Sequence, residues 1–113
     1  MYQIVGWGFA YAGDFDVEVG PPDLRNFWLE LRVDVQEVNK EGIINFLIYI
    51  CSPLGLLENF NEIADYNRTF LGAPQGPVFG RGLLILREYN IDVIESIIEQ
   101  EVDNLKYYAF DVS

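Results

Sequence analysis

The chain has 113 residues, half of them hydrophobic and 15% aromatic, which sets disorder aside and fits the length of one domain. Eighteen acids against seven bases leave a net charge of −11 and a pI near 4.1, so the basic footprint needed for nucleic acid or an anionic membrane is missing. Histidine is absent, which removes the usual general base, the commonest transition-metal ligand and the imidazole-dependent triads.

Residues 2–9, Tyr-Gln-Ile-Val-Gly-Trp-Gly-Phe, read as an opening strand weakened by Gly6 and Gly8, since glycine inside a strand often marks a bulge. Residues 10–26 are rich in turn formers. Asp14, Asp16 and Glu18 alternate there with Phe15, Val17 and Val19, so an extended backbone would place the three carboxylates on one solvated face. No ligating-loop pattern accompanies them, and a metal site is not expected.

Residues 27–38 alternate cleanly: Leu29, Leu31, Val33 and Val35 against Glu30, Arg32, Asp34 and Gln36. That is the pattern of a half-buried antiparallel strand. Asn39-Lys40-Glu41-Gly42 supplies a turn into residues 43–51, Ile-Ile-Asn-Phe-Leu-Ile-Tyr-Ile-Cys. This run is apolar on both alternating faces and too short for a membrane span, so it predicts a central strand covered on both sides. Residues 27–51 together predict one β-hairpin.

Ser52-Pro53 is a helix start, a hydroxyl N-cap followed by proline at the first helical position. A helix is expected over 53–64, with Leu56, Phe60 and Ile63 as its apolar stripe and Gly55 weakening its first turn. Residues 65–82 carry Gly72, Pro74, Gly76, Pro77, Gly80 and Gly82 and predict a long loop, with Phe70 among the apolar residues that fold back onto the body.

A short apolar strand is expected at 83–86, then a last helix capped by Asn90 or Asp92 and running to about Leu105. Ile94, Ile97, Ile98, Val102 and Leu105 form its buried stripe, with Glu95, Glu99 and Asp103 on the other side. Residues 107–112 close the chain as an edge strand or an ordered tail. The fold class predicted is α+β, a mostly antiparallel sheet with two helices packed on one face, as a single domain over 1–113.

Little in the sequence supports catalysis. Lone Cys51 cannot build a zinc site or an internal disulfide, and its presence fits a reducing compartment. No signal peptide opens the sequence, so a cytoplasmic location is expected. With 18 acids, some close carboxylate pair is inevitable and carries no specificity. The reading is therefore a non-enzyme with no cofactor, no metal, no nucleic-acid partner and no membrane partner.

Two patterns stand out: Cys51-Ser52-Pro53 with Leu56 at a strand-to-helix junction, and Gly80-Arg81-Gly82-Leu83-Leu84-Ile85-Leu86 followed by Glu88-Tyr89-Asn90. In this order, over about residues 27–105, they resemble the Immunity protein 8 family of bacterial polymorphic toxin systems. That family commonly has tryptophan beside leucine after the proline, where this chain has Gly55-Leu56, and often a polar or aromatic residue after Gly-Arg, where this chain has Gly82.

The resemblance implies a cytoplasmic antidote that binds a cognate toxin domain, possibly a nuclease with a basic cleft. The alternative function is a non-catalytic structural or adaptor subunit whose charge maintains solubility. For toxin binding, the expected partner contacts are the acids Asp14, Asp16, Glu18, Glu95, Glu99 and Asp103, with Tyr66 and Phe70 as aromatic anchors. Arg81 and Tyr89 are expected to be architectural, with Tyr89 packed at the strand-to-helix corner.

Overall fold

The computed structural model describes residues 1–11, 15–71 and 82–112. The predicted hairpin is its centre. Strand β2, Trp28–Glu37, pairs antiparallel with β3, Ile44–Cys51. Asn39 and Gly42 turn the chain between them with positive φ values of 68° and 95°. On the other edge of β2 lies β1, Tyr2–Tyr11, whose register with β2 shifts between Ile4 and Gly6 and again between Phe9 and Tyr11.

The other edge of β3 is shared by two short strands. Strand β4, Leu83–Ile85, runs parallel beside Tyr49–Cys51, and β5, Phe110–Asp111, runs antiparallel beside Phe46 and Leu47. The result is the expected α+β class, with a mostly antiparallel sheet of five strands among the described residues.

Alternation divides the sheet into two apolar faces. Leu29, Leu31, Val33 and Val35 on β2 pair with Ile50, Ile48, Phe46 and Ile44 on β3, and all but the half-buried Ile44 belong to one buried cluster. Their alternates Trp28, Leu47, Tyr49 and Cys51 build a second cluster on the opposite face. The central strand is thus dry on both sides, as its composition predicts.

The helices are α1 (Pro53–Glu58), α2 (Phe60–Leu71), α3 (Ile91–Gln100) and α4 (Leu105–Tyr108), with a 3-10 turn at Val102–Asn104 before the last. Among the described residues they number four, not two, and they serve both faces. Ile94 and Ile98 of α3 and Leu105 of α4 complete the first cluster, whereas Ile63 of α2 and Leu56 of α1 pack into the second.

Two expectations fail at helix ends. The helix predicted over 53–64 is broken at Asn59, whose backbone N–H and side-chain Nδ2 both donate to the Gly55 carbonyl, at 3.0 and 2.8 Å. This local side-chain bond competes with helix continuation. The chain then restarts as α2 and stays helical to Leu71, so the loop expected from residue 65 begins later. Gly72–Gly80 glycines and prolines, and Arg81, lie outside the described residues.

Ser52 holds the strand-to-helix junction. Its hydroxyl is fully buried, accepts from Phe27 N at 3.1 Å and Gly55 N at 3.0 Å, and lies 3.5 Å from the Phe27 carbonyl, to which it donates. Ser52 N also donates to that carbonyl at 3.1 Å. The first turn of α1 therefore lies directly on the backbone of Phe27. Gly55 is a contact residue here, not merely a weak helix former: a Cβ on it would stand 1.8 Å from Phe27 O.

Gly82 plays a matching part at the start of β4. Its φ is +75°, and a Cβ there would meet the Phe110 ring at 2.2 Å. Its N–H donates to Tyr108 O at 2.6 Å and its carbonyl accepts from Tyr49 N at 2.8 Å. Gly82 thus ties β3, β4 and the end of α4 together.

Gly55→Ala is expected to destabilise the protein by more than about 2 kcal/mol, because backbone must move. Ile48, only 8% exposed in the first cluster, should lose roughly 2–5 kcal/mol on truncation to alanine. Urea melts of both variants would check this; losses below about 1 kcal/mol would show that these contacts do not anchor the hairpin.

Candidate functional site

Of the acids expected to meet a partner, Asp16 and Glu18 lie near the start of α3, which carries Glu95 and Glu99, whereas Asp103 lies apart from them. Asp16 and Glu18 do not lie on an extended strand. Residues 16–20 form a turn, in which Val19 N and Gly20 N donate to Asp16 O at 3.2 and 2.7 Å, and Glu18 N donates to the Asp16 carboxylate at 2.8 Å. An aspartate binding its own downstream backbone stabilises a turn over a strand, and alternation alone does not reveal it. Asp14 lies outside the described residues.

Tyr89 anchors that turn. It is buried, its hydroxyl donates to the Val17 carbonyl, and its N–H donates to Leu24 O at 2.7 Å. Its ring meets Phe15 and Phe27 edge-on, each at 5.4 Å between centroids. Burial, and then the charges of Glu18 and Asp16, hold its phenol above the usual tyrosine range. The corner position expected for Tyr89 is what the structure shows.

One residue later, Asn90 caps α3 by accepting from Asp92 N and Val93 N at 3.1 and 3.2 Å. Ile94 and Ile98 point into the core, and Asp92, Glu95 and Glu99 are exposed. The turn carrying Asp16 and Glu18 therefore adjoins the start of the acidic helix, more than 70 residues away in sequence.

The last helix does not reach Leu105. It stops at Gln100, with no basic residue in its last turn, and Glu101 N donates back to Ile97 O at 2.9 Å. Asp103 falls in the 3-10 turn and not on the α3 face with Glu95 and Glu99. Its carboxylate accepts from Tyr2 N at 2.7 Å, which fastens the start of β1. Leu105 still enters the core, but from α4. Tyr66 and Phe70 are helical residues of α2, not loop residues; the placement of their side chains is outside the described residues.

Between the end of α3, α4 and the sheet is an apolar cleft of about 590 Å³. Leu31, Ile48, Ile50 and Leu84 line it from the sheet, and Ile97, Ile98 and Leu105 from the helices. Glu101, Tyr107 and Tyr108 complete its wall. The tyrosines are 66% and 56% exposed. They were expected in an edge strand or tail; the signal available in the sequence was an aromatic pair beginning two residues after the last stripe residue, Leu105.

Glu30 is a second departure. The alternation places it on the solvated side of β2, yet it is only 7% exposed and its Oε1 has no hydrogen-bond partner. Its neighbours across the sheet are Tyr11 and Tyr49. Burial raises the Glu30 carboxyl above its ordinary range. It also raises the Tyr49 phenol, to which the Glu30 charge adds.

Cys51 is inert by the same cause, its thiol pushed up to about 11 by burial. Among the described residues there is no group of three or more histidine, cysteine or acidic side chains that could hold a metal. Also among them, no helix is long and apolar enough to cross a membrane.

A raised carboxyl value means that the folded protein binds the Glu30 proton more tightly than the unfolded chain. Its contribution to stability is present in full below the unfolded value near 4.3 and is lost as pH rises through the folded value. Glu30→Gln removes that dependence. In thermal melts from pH 4 to pH 7.5, the variant's stability relative to wild type is expected to rise with pH. Parallel curves would show that the carboxylate ionises in the folded state as freely as in the unfolded one.

The family model described as Immunity protein 8 matches residues 14–111. No curated protein and no solved structure matches the chain. The matched span runs from the Asp16–Glu18 turn through the sheet and both helical layers to β5, and so includes the Ser52 junction and the Tyr89 corner together. This chain belongs to the Immunity protein 8 family.

Proposed function

We propose that this protein neutralises a cognate toxin domain of a polymorphic toxin system by stoichiometric binding in the cytoplasm, without catalysis. The observation that carries the reading is the acidic layer over the first sheet face, in a chain whose family is one of immunity proteins. The sequence from 88 to 103 contains Glu88, Asp92, Glu95, Glu99, Glu101 and Asp103 and no base. The turn at Asp16 and Glu18 continues that layer past Tyr89.

Clustered charge of one sign speeds encounter with an oppositely charged partner and disfavours wrong ones. A nuclease toxin, whose substrate cleft is basic, presents the complementary field. Asp14, Asp16, Glu18, Glu95 and Glu99 serve steering and rim contacts in this reading. Asp103 combines a rim position with its bond to Tyr2. Tyr66 and Phe70 are proposed as further anchors on α2.

The test is expression of the toxin domain encoded beside this gene, with and without this protein, together with measured association of the two purified chains. Co-expression is expected to restore growth, and the association rate to fall steeply with salt. Charge reversal at Glu95 and Glu99 together should slow association several-fold at low salt and leave the melting temperature nearly unchanged. Absence of rescue and of binding would overturn the reading. Rescue with a rate indifferent to salt and to the double reversal would remove acidic steering from it.

A further inference from the structure

Among the described residues, no basic side chain forms an ion pair with the end of α3. A helix C-terminus carries partial negative charge, and cations are favoured there. Here the last turn has no base, and Glu99, Glu101 and Asp103 crowd the end. Asp103 is relieved by Tyr2 N–H, and one oxygen of Glu101 accepts from Asn104 Nδ2 at 3.1 Å. Lys106 is the only base between residues 88 and 112. Its ammonium lies over the rings of Tyr2 and Tyr107, at 5.7 and 5.1 Å from their centroids.

The apolar cleft opens beside this helix end, with Glu101 in its wall and the exposed Tyr107 and Tyr108 beside it. Most of its apolar wall is buried in the first cluster, but Leu84 and Ile97 are half-buried and Tyr107 and Tyr108 exposed at its mouth, and tyrosines flanking an apolar pocket are typical of residues that dominate binding energy. The two features ask for one kind of occupant: an apolar group to fill the cleft and an adjoining cation to neutralise the helix end.

From this we infer that the α3–α4 cleft is the docking site for a toxin segment that inserts an apolar or aromatic side chain between Ile97 and the sheet and places a neighbouring lysine or arginine against Glu101. The inference rests on the toxin-binding reading and adds the place and the chemistry of the contact. In this arrangement the acidic layer acts twice, first in steering and then, through Glu101, in a local contact at the cleft.

The experiment uses the full-length protein and a purified candidate toxin domain that it protects against, and measures Kd for wild type, for the double variant Tyr107→Ala/Tyr108→Ala and for Glu101→Gln. The tyrosine variant is expected to bind about tenfold or more weakly, mainly through faster dissociation. The glutamine variant should bind more weakly and also melt at a higher temperature, because the helix end is relieved. Opposite signs for stability and affinity are what a merely structural role would not give.

In parallel, isoleucine δ-methyl resonances of the unaltered protein are followed while toxin is added. Shifts confined to Ile48, Ile50, Ile97 and Ile98 support the cleft even if a variant folds poorly. Binding by wild type with unchanged Kd in both variants, or with those methyls unmoved, overturns the docking site and leaves the toxin-binding function standing. Failure of wild type to bind at all overturns both.

Discussion

The fold depends on the contact of Ser52 and Gly55 with the backbone of Phe27. Phe27 opens the hairpin, and Ser52 directly follows its second strand, so the contact closes the open end of β2–β3. One buried hydroxyl satisfies Phe27 N and Gly55 N together. Without it, two backbone donors would stay unpaired in a place water does not reach, each costing roughly 1–3 kcal/mol. The same contact starts α1 against the second face of the sheet. The chain must then cross and return as β4, parallel to β3. Helices α3 and α4 are laid down from that return, on the first face.

Several elements were legible because their signals are local. The hairpin follows from alternation and a turn, the start of α1 from serine and proline, and the core stripe of α3 from isoleucines three and four residues apart. The helix breaks were less legible because they turn on single side-chain bonds. Asn59 ends α1 through its own amide, and Asp103 is drawn to Tyr2, which lies 101 residues away. The carboxylates at Asp16 and Glu18 alternate like a strand, but Asp16 binds the backbone ahead of it and makes a turn.

Glu30 shows the limit from the other side. Its position in an alternating strand marks it as solvent-facing, and only tertiary packing decides otherwise. The second face of β2 and β3 is apolar at Trp28, Leu47, Tyr49 and Cys51 but carries the exposed Arg32–Asp34 pair further along. Glu30 lies between these regions, close enough to the apolar one to be buried. The candidate site was legible in its charge and not in its shape. The acids of α3 are visible in the sequence, whereas the cleft beside them requires Leu84 of β4, Ile97 of α3 and Tyr108 of α4 to meet.

The layer over the first face is the proposed recognition surface, and the Ser52 junction is its proposed support. Amide hydrogen exchange of the full chain, alone and saturated with a candidate toxin domain, tests that division most directly. Added protection is expected in α3, the 3-10 turn, α4 and β4, with the junction at Ser52–Leu56 already slow in the free protein and unchanged by toxin. Protection confined to α1, α2 or the outer edge of β1, with α3 and α4 exchanging as before, would contradict the account.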